Sequence, residues 1–272
     1  MRVPAVAGQF YEDDRDALLR QIEGCYTHRL GPGAVPKVRE GPRKLRGLVV
    51  PHAGLMYSGP VAAHAYKALA EDGLPETFVI LGPNHTGLGA GVAVGTVDWE
   101  TPIGPVRCER DLAKAIAAKR PATEDLVAHR FEHSIEVQLP FLVHLGSRAP
   151  FVPVCIGTQD YDQAVPVGEA VRDAIRGRDA VVIASTDFSH YIPKDDAYRI
   201  DKLAYDRILA LDVRGFWDTV RTNDISMCGY GPVIAMMTAV HEGRPELLKY
   251  ATSGDVSPMR DVVGYAAIAV YA

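Results

Sequence analysis

This 272-residue sequence predicts an α/β fold, a central mixed and largely parallel sheet flanked by helices on both faces. Two observations carry that expectation. Short β-branched runs alternate with longer amphipathic stretches along the whole chain, which is the pattern of strand–helix–strand units. Several runs, including Phe151 to Ile156 and Ala180 to Ala184, are apolar throughout, as strands covered on both faces must be.

In chain order, a first helix is expected over Asp14 to Cys25. A strand over Leu48 to Val50 leads to a helix placed at Pro60 to Ala70. Proline is tolerated at a first helical position because its missing N–H would be unpaired there anyway, and Pro60 follows Gly59. Strands at Thr77 to Leu81 and Gly91 to Val97 come next, and Thr101-Pro-Ile-Gly-Pro105 reads as a hairpin or bulged turn. Helices are expected at Arg110 to Ala118 and at His133 to Leu145. In the second of these, Ile135, Leu139 and Leu142 form a core stripe, and His133 and Glu136 share another face.

A strand at Phe151 to Ile156, a helix at Tyr161 to Ile175 and a strand at Ala180 to Ala184 follow. Helices at Asp196 to Ala210, Val213 to Arg221 and Pro232 to His241 then precede a last strand at Tyr265 to Tyr271. The Gly- and Pro-rich stretch from Gly31 to Pro42 is too short to separate domains, and no repeat is present, so residues 1–272 are read as one domain.

Hydrophobic residues make up 47% and charged residues 23%, which places the chain among globular proteins and not disordered ones. A net charge of -5 argues against nucleic-acid binding and against attraction to anionic membrane. No apolar run approaches the roughly 18 to 20 residues of a membrane span. The amino-terminal stretch lacks the apolar centre of a signal peptide, so a cytoplasmic protein is expected. The four cysteines show no C-x-x-C pair and are expected as free thiols, with Cys155 in an apolar run as a core residue.

Three strands run directly into loops that carry histidine. They are Leu48-Val-Val-Pro-His52, Phe78-Val-Ile-Leu-Gly-Pro-Asn-His85 and Val181-Val-Ile-Ala-Ser-Thr-Asp187-Phe-Ser-His190. In open parallel sheets, ligands bind beyond the carboxyl ends of the strands. Parallel neighbours would therefore bring His52, His85, Asp187 and His190 to one crevice, where imidazole and carboxylate can hold a metal. Cys228, in Ser226-Met-Cys-Gly-Tyr-Gly-Pro232 before a helix, is expected to lean toward thiolate, the metal-binding form. Taken alone, a buried small residue in a Gly-bounded turn fits Cys228 as well.

His133 with Glu136 could supply an acid/base pair or a carboxylate that orients an imidazole; an exposed His–Glu pair fits equally. Tyr57 and Asn84 flank the first two histidines. His28, His64, His129, His144 and His241 have no convergent context. No phosphate loop, H-E-x-x-H helix or G-x-S-x-G elbow occurs.

Taken together, the ordered motifs resemble the Memo family, the central member of the AmmeMemoRadiSam gene neighbourhood. They are Arg2-Val-Pro-Ala-Val-Ala-Gly-Gln-Phe-Tyr11, Pro51-His-Ala-Gly54, Tyr57-Ser-Gly59, Gly82-Pro-Asn-His85, Thr101-Pro-Ile-Gly104, Glu132-His-Ser-Ile-Glu136, Asp187-Phe-Ser-His190 and Cys228-Gly229. That family is similar in fold to LigB-type class III extradiol dioxygenases. The resemblance implies a non-haem metal pocket with His52, His85 and Cys228 as ligands. His190 would serve in proton transfer, with His133 and Asp187 beside it.

Cys228 stands where the dioxygenases carry a carboxylate, and a thiolate there favours zinc, Cu(I) or a differently poised iron. The expected function is a metal-dependent, dioxygenase-like oxidoreductase acting on a small, aromatic or phenolic substrate, with Fe(II) the first metal and Cu(I) or zinc the alternatives. A non-catalytic metal-binding protein, a phosphotyrosine-type peptide-binding module and a metallohydrolase are the competing readings. A radical SAM enzyme and an AMMECR-type protein are the implied pathway partners.

Overall fold

The computed structural model describes residues 1–272. Helix α1 (Arg15–Thr27) is followed by β1 (Leu45–Val50), α2 (Leu55–Asp72), β2 (Thr77–Pro83) and β3 (Val92–Val94). Then come α3 (Arg110–Ala117), β4 (Thr123–Glu124), a 3-10 turn (Glu136–Gln138), α4 (Leu139–His144) and β5 (Phe151–Ile156). The second half contains α5 (Tyr161–Ala174), β6 (Ala180–Ser185), β7 (His190–Pro193), α6 (Lys194–Leu209) and α7 (Val213–Thr222). The chain ends with α8 (Tyr230–Val240), β8 (Arg244–Thr252), α9 (Ser253–Val256) and β9 (Asp261–Tyr271).

One nine-stranded sheet runs in the order β4-β3-β5-β2-β6-β1-β9-β7, with β8 also paired to β9. Its centre, β5-β2-β6-β1, is parallel, and β3, β7, β8 and β9 join antiparallel partners. The sheet is thus mixed with a parallel heart, as the sequence predicts. Alternate residues of each central strand feed opposite cores. Val49, Val79, Leu81, Val182 and Ala184 enter one, while Leu48, Val50, Phe78, Ile80, Val181 and Ile183 enter the other. The two cores contain 35 and 34 buried residues, so neither face is solvated, and this is why these strands read as continuously apolar. No helix is long and apolar enough to cross a membrane.

Some expectations are corrected. Helix α2 starts at Leu55, so Pro60 lies inside it and not at its first position. Residues 133–135 precede the 3-10 turn, so no helix begins at His133. The long strand β8 was not foreseen: Pro245, Lys249 and a half-exposed pattern disguise it, and β9 is its one partner. The turn at Thr101–Gly104 is as expected, closed by reciprocal backbone hydrogen bonds between those two residues.

Candidate metal centre

Strands β1, β6 and β2 are adjacent and parallel, with Val50 opposite Ser185 and Leu81 opposite Ala184. Their carboxyl ends therefore rise from one edge. His52, His85 and Asp187 each follow the last residue of their strand by two positions. Cys228 reaches the same place from the loop before α8. One ring nitrogen of His52, one of His85 and Sγ of Cys228 all lie within 4.8 Å of one another. Gly229 permits the approach, because a Cβ there would sit 2.6 Å from the Ser185 carbonyl oxygen.

Hydrogen bonding fixes which nitrogen each histidine offers. Ser185 Oγ donates to the Ser134 carbonyl at 2.7 Å and accepts from Gln138 Nε2 at 2.8 Å. The remaining contact, 2.9 Å to His52 Nδ1, must then be donated by the imidazole. Gln138 is oriented in turn by donation to the Pro51 carbonyl and by accepting from Tyr66. His52 is therefore protonated at Nδ1, and its Nε2 lone pair faces Cys228 Sγ at 3.3 Å.

Glu132 does the same for His85. Its fully buried carboxylate accepts from His85 Nδ1 at 2.9 Å, the His85 backbone at 2.6 Å, and the backbones of His133 and Ser134 at 2.9 Å. Burial pushes this carboxyl up, but the hydrogen bond and charge from His85, followed by His133 and Ser134, outweigh it and hold it at about 2. His85, Glu132 and His133 also form a close trio of possible ligands. The four N–H groups occupy the acceptor sites of Glu132, so it acts as support for the imidazoles.

His133 packs face to face on His85 at 4.4 Å, lies 5.3 Å from His52, and is backed by Phe10 at 4.6 Å. Burial lowers its pKa to about 4, against the opposing pull of Glu132. His52 is pushed well down by burial and then by the neighbouring His133, His85 and His190. His190 donates from Nδ1 to the Ser226 carbonyl at 2.8 Å, because a carbonyl can only accept, and its Nε2 stays free. Asp187 Oδ1 accepts from the backbone N–H of His52 at 2.8 Å and of Ala53 at 3.3 Å, whereas no protein donor reaches Oδ2. Burial raises this carboxyl despite those bonds.

The expectation of a thiolate at Cys228 is overturned. Burial first, and then the nearby Asp187 carboxylate, push the thiol up. Sγ lies two residues ahead of α8 and accepts from the Asp187 backbone at 3.3 Å, not from the helix start. A cation between Sγ and the imidazoles is what would make the thiolate. The donor set suits one, since two imidazole nitrogens and a sulfur are the ligands of zinc, Cu(I) and iron. The 3.3 Å N···S separation is close to what roughly 2.1 Å Zn–N and 2.3 Å Zn–S bonds span.

Glu136 is not the partner of His133. Its buried carboxylate is taken by Arg2 at 2.5 Å, by the Ala5 and Val6 backbones, and by Tyr11 at 2.6 Å. Arg2 also donates to the His129 and Glu132 carbonyls and lies 4.0 Å over Trp99, so the amino-terminal segment anchors the loop carrying His133. Asn84 shapes its own loop through Thr86, Gly87 and Leu88, and Tyr57 is 40% exposed without a hydroxyl partner. Sequence reasoning missed Glu132, Ser185, Gln138 and Gln159. The last accepts from the Gly231 backbone and donates to the Cys228 carbonyl, clamping the thiol-bearing loop. The sequence signal for Glu132 was its place one residue before His133; the others had none.

A family model described as Memo-like protein matches residues 2–269. The chain belongs to the Memo family. A MEMO1 family protein of Methanopyrus kandleri is 52% identical over 98% of each chain. Another, from Methanothermobacter thermautotrophicus, is 49% identical over 98% of this chain and 99% of its own. The crystal structure of an uncharacterized protein from Escherichia coli K12 shares the fold with this Memo chain at a TM-score of 0.55. It is 14% identical, covering 83% of this chain and 99% of that one.

Proposed function

We propose that this Memo family protein is a metal-dependent oxidoreductase acting on a small aromatic or phenolic substrate. His52, His85 and Cys228 would hold the metal, Fe(II) first, with Cu(I) and zinc the alternatives. The supporting observation is the convergence of two imidazole nitrogens and one sulfur within 4.8 Å, together with partners that engage Nδ1 of both rings and leave Nε2 without a backbone or carboxylate partner. Bound Fe(II) would supply redox chemistry and Lewis acidity at that point.

The surrounding residues would handle protons and orientation. His190 Nε2 has no protein partner, since the ring is tied through Nδ1 to Ser226, and it would take a proton from a substrate hydroxyl. Asp187 fixes the His52 backbone through Oδ1 and leaves Oδ2 to a substrate or a water. His133 forms an aromatic wall over His85. Radical SAM and AMMECR-type partners are part of the proposal as pathway companions, to be tested by co-purification.

The test is metal analysis of untagged protein purified without oxygen, followed by oxygen uptake with a panel of phenols. Stoichiometric iron and substrate-dependent uptake are expected. Full uptake in a His52→Ala, His85→Ala double variant refutes the proposal. A second reading, metal holding without turnover, draws on the softness of the sulfur, and stoichiometric Cu(I) with no substrate-dependent uptake would select it.

A further inference from the structure

We propose that Tyr191 is a specificity residue, held out of the sheet by a bulge so that its ring clamps a planar ring of the ligand over the centre. This deepens the reading of the site given above and rests on it. Strand β7 pairs His190 with Val263 and Ile192 with Val262, so two steps along β7 meet one step along β9 and Tyr191 is the extra residue. Such bulges cluster beside active sites, where they re-aim a side chain. Tyr191 has φ of +57°, the left-handed region that a bulge normally fills with glycine.

Four other non-glycine residues, Arg43, Leu211, Asp224 and His241, share a positive φ, but all lie outside strands, in loops, turns or at helix ends. A tyrosine in a strand at this angle is strained, and strain of this kind persists where a function needs it. No packing gain explains it, because Tyr191 is 78% exposed, more than any other large hydrophobic residue, and its hydroxyl has no protein partner.

Position supplies the function. The Tyr191 ring stands edge-on to His190 at 5.9 Å. Tyr57 stands in the first turn of α2, five residues beyond His52, and Tyr191 follows His190, whose backbone and ring are bonded to Ser226 in the loop that carries Cys228. Both hydroxyls are free and both rings are available for stacking. An aromatic wall that is amphipathic and costs little side-chain entropy selects a flat conjugated ligand over a puckered aliphatic one of equal size.

The experiment compares wild type with Tyr191→Phe, Tyr191→Leu and Tyr191→Gly, in metal-free and zinc-loaded protein. Binding of 4-nitrophenol is read by its absorbance shift, with phenol and cyclohexanol as competitors, and unfolding midpoints are measured in parallel. Wild type should bind the probe saturably, with displacement by phenol and not by cyclohexanol. Tyr191→Phe should stay within about twofold, while Tyr191→Leu and Tyr191→Gly should weaken binding about tenfold. Tyr191→Gly should not lower the unfolding midpoint, because glycine relieves the backbone.

Unchanged binding in Tyr191→Leu, a lowered midpoint in Tyr191→Gly, or no saturable binding in wild type would overturn the clamp. Zinc titration of the same samples keeps the two ideas apart. Lost probe discrimination with stoichiometric zinc uptake sinks the clamp alone. Intact discrimination without uptake of zinc, or of Fe(II) or Cu(I) titrated in the same way, sinks the metal reading alone.

Discussion

Replacing Glu132 by Gln keeps the shape of the side chain and removes its charge. The amide can place its one oxygen where Oε1 now accepts from His85 Nδ1, His133 N and Ser134 N. Its NH2 group then faces the His85 backbone N–H, which is 2.6 Å from Oε2 in the native protein. One buried donor loses its acceptor, costing about 1–3 kcal/mol, and three charge-assisted bonds become neutral ones. The sum is a loss of about 3 kcal/mol. The weakened bond to Nδ1 also makes His85 Nε2 less basic, and removing a partner of this kind lowers metal affinity by roughly 10- to 100-fold. Urea unfolding reads the first effect, and anaerobic competition against a chromophoric chelator reads the second. Unfolding within about 0.5 kcal/mol of wild type, with unchanged metal affinity, would refute the role given to Glu132.

Arg2→Ala leaves the Glu136 carboxylate buried without its cation, and a loss of about 3–5 kcal/mol is expected in chemical denaturation. A change under about 1 kcal/mol would show that the strap carries little. Gln159→Ala frees the Cys228 carbonyl and the Gly231 N–H, so metal affinity should fall while the far-UV spectrum and folded core persist; equal affinity would remove Gln159 from the site. Burial alone would raise Asp255, but Lys194, Thr252 and Tyr198 outweigh it and hold it at about 2, below its ordinary 3.8. A depressed folded pKa gives stability that is present above about pH 4 and lost as pH falls toward 2. The stability difference between wild type and Asp255→Asn should therefore shrink over that window, and a constant difference would contradict the ion pairing.

The central strands and most helices were legible because burial on both faces leaves a long apolar signature that one chain position after another repeats. The strand-end histidines were legible for a related reason. A strand that ends at Val50, Pro83 or Ser185 places the residue two positions on at the same sheet edge, whichever helices intervene. What failed was anything decided by side chains meeting from afar. His133 and Glu136 were paired on the assumption of a helix, yet the chain there is a turn whose carboxylate answers to Arg2, 134 positions away. Cys228 was read from its place before α8, while its actual surroundings are Asp187 and His52, brought by β6 and β1. Nothing in the sequence marks Tyr191, because a bulge is a property of the pairing with β9 and not of β7 itself.

The grip of Arg2 on Glu136 also sets an order of events during synthesis. The segment from Arg2 to Tyr11 leaves the ribosome long before the residues that receive it, so it must wait, unpaired, until position 136 has emerged. The thiol arrives later still, at position 228, after both histidines have emerged. A nascent chain would thus offer two histidines before it offers the sulfur, and a metal that meets it early meets a harder, looser host than the finished pocket.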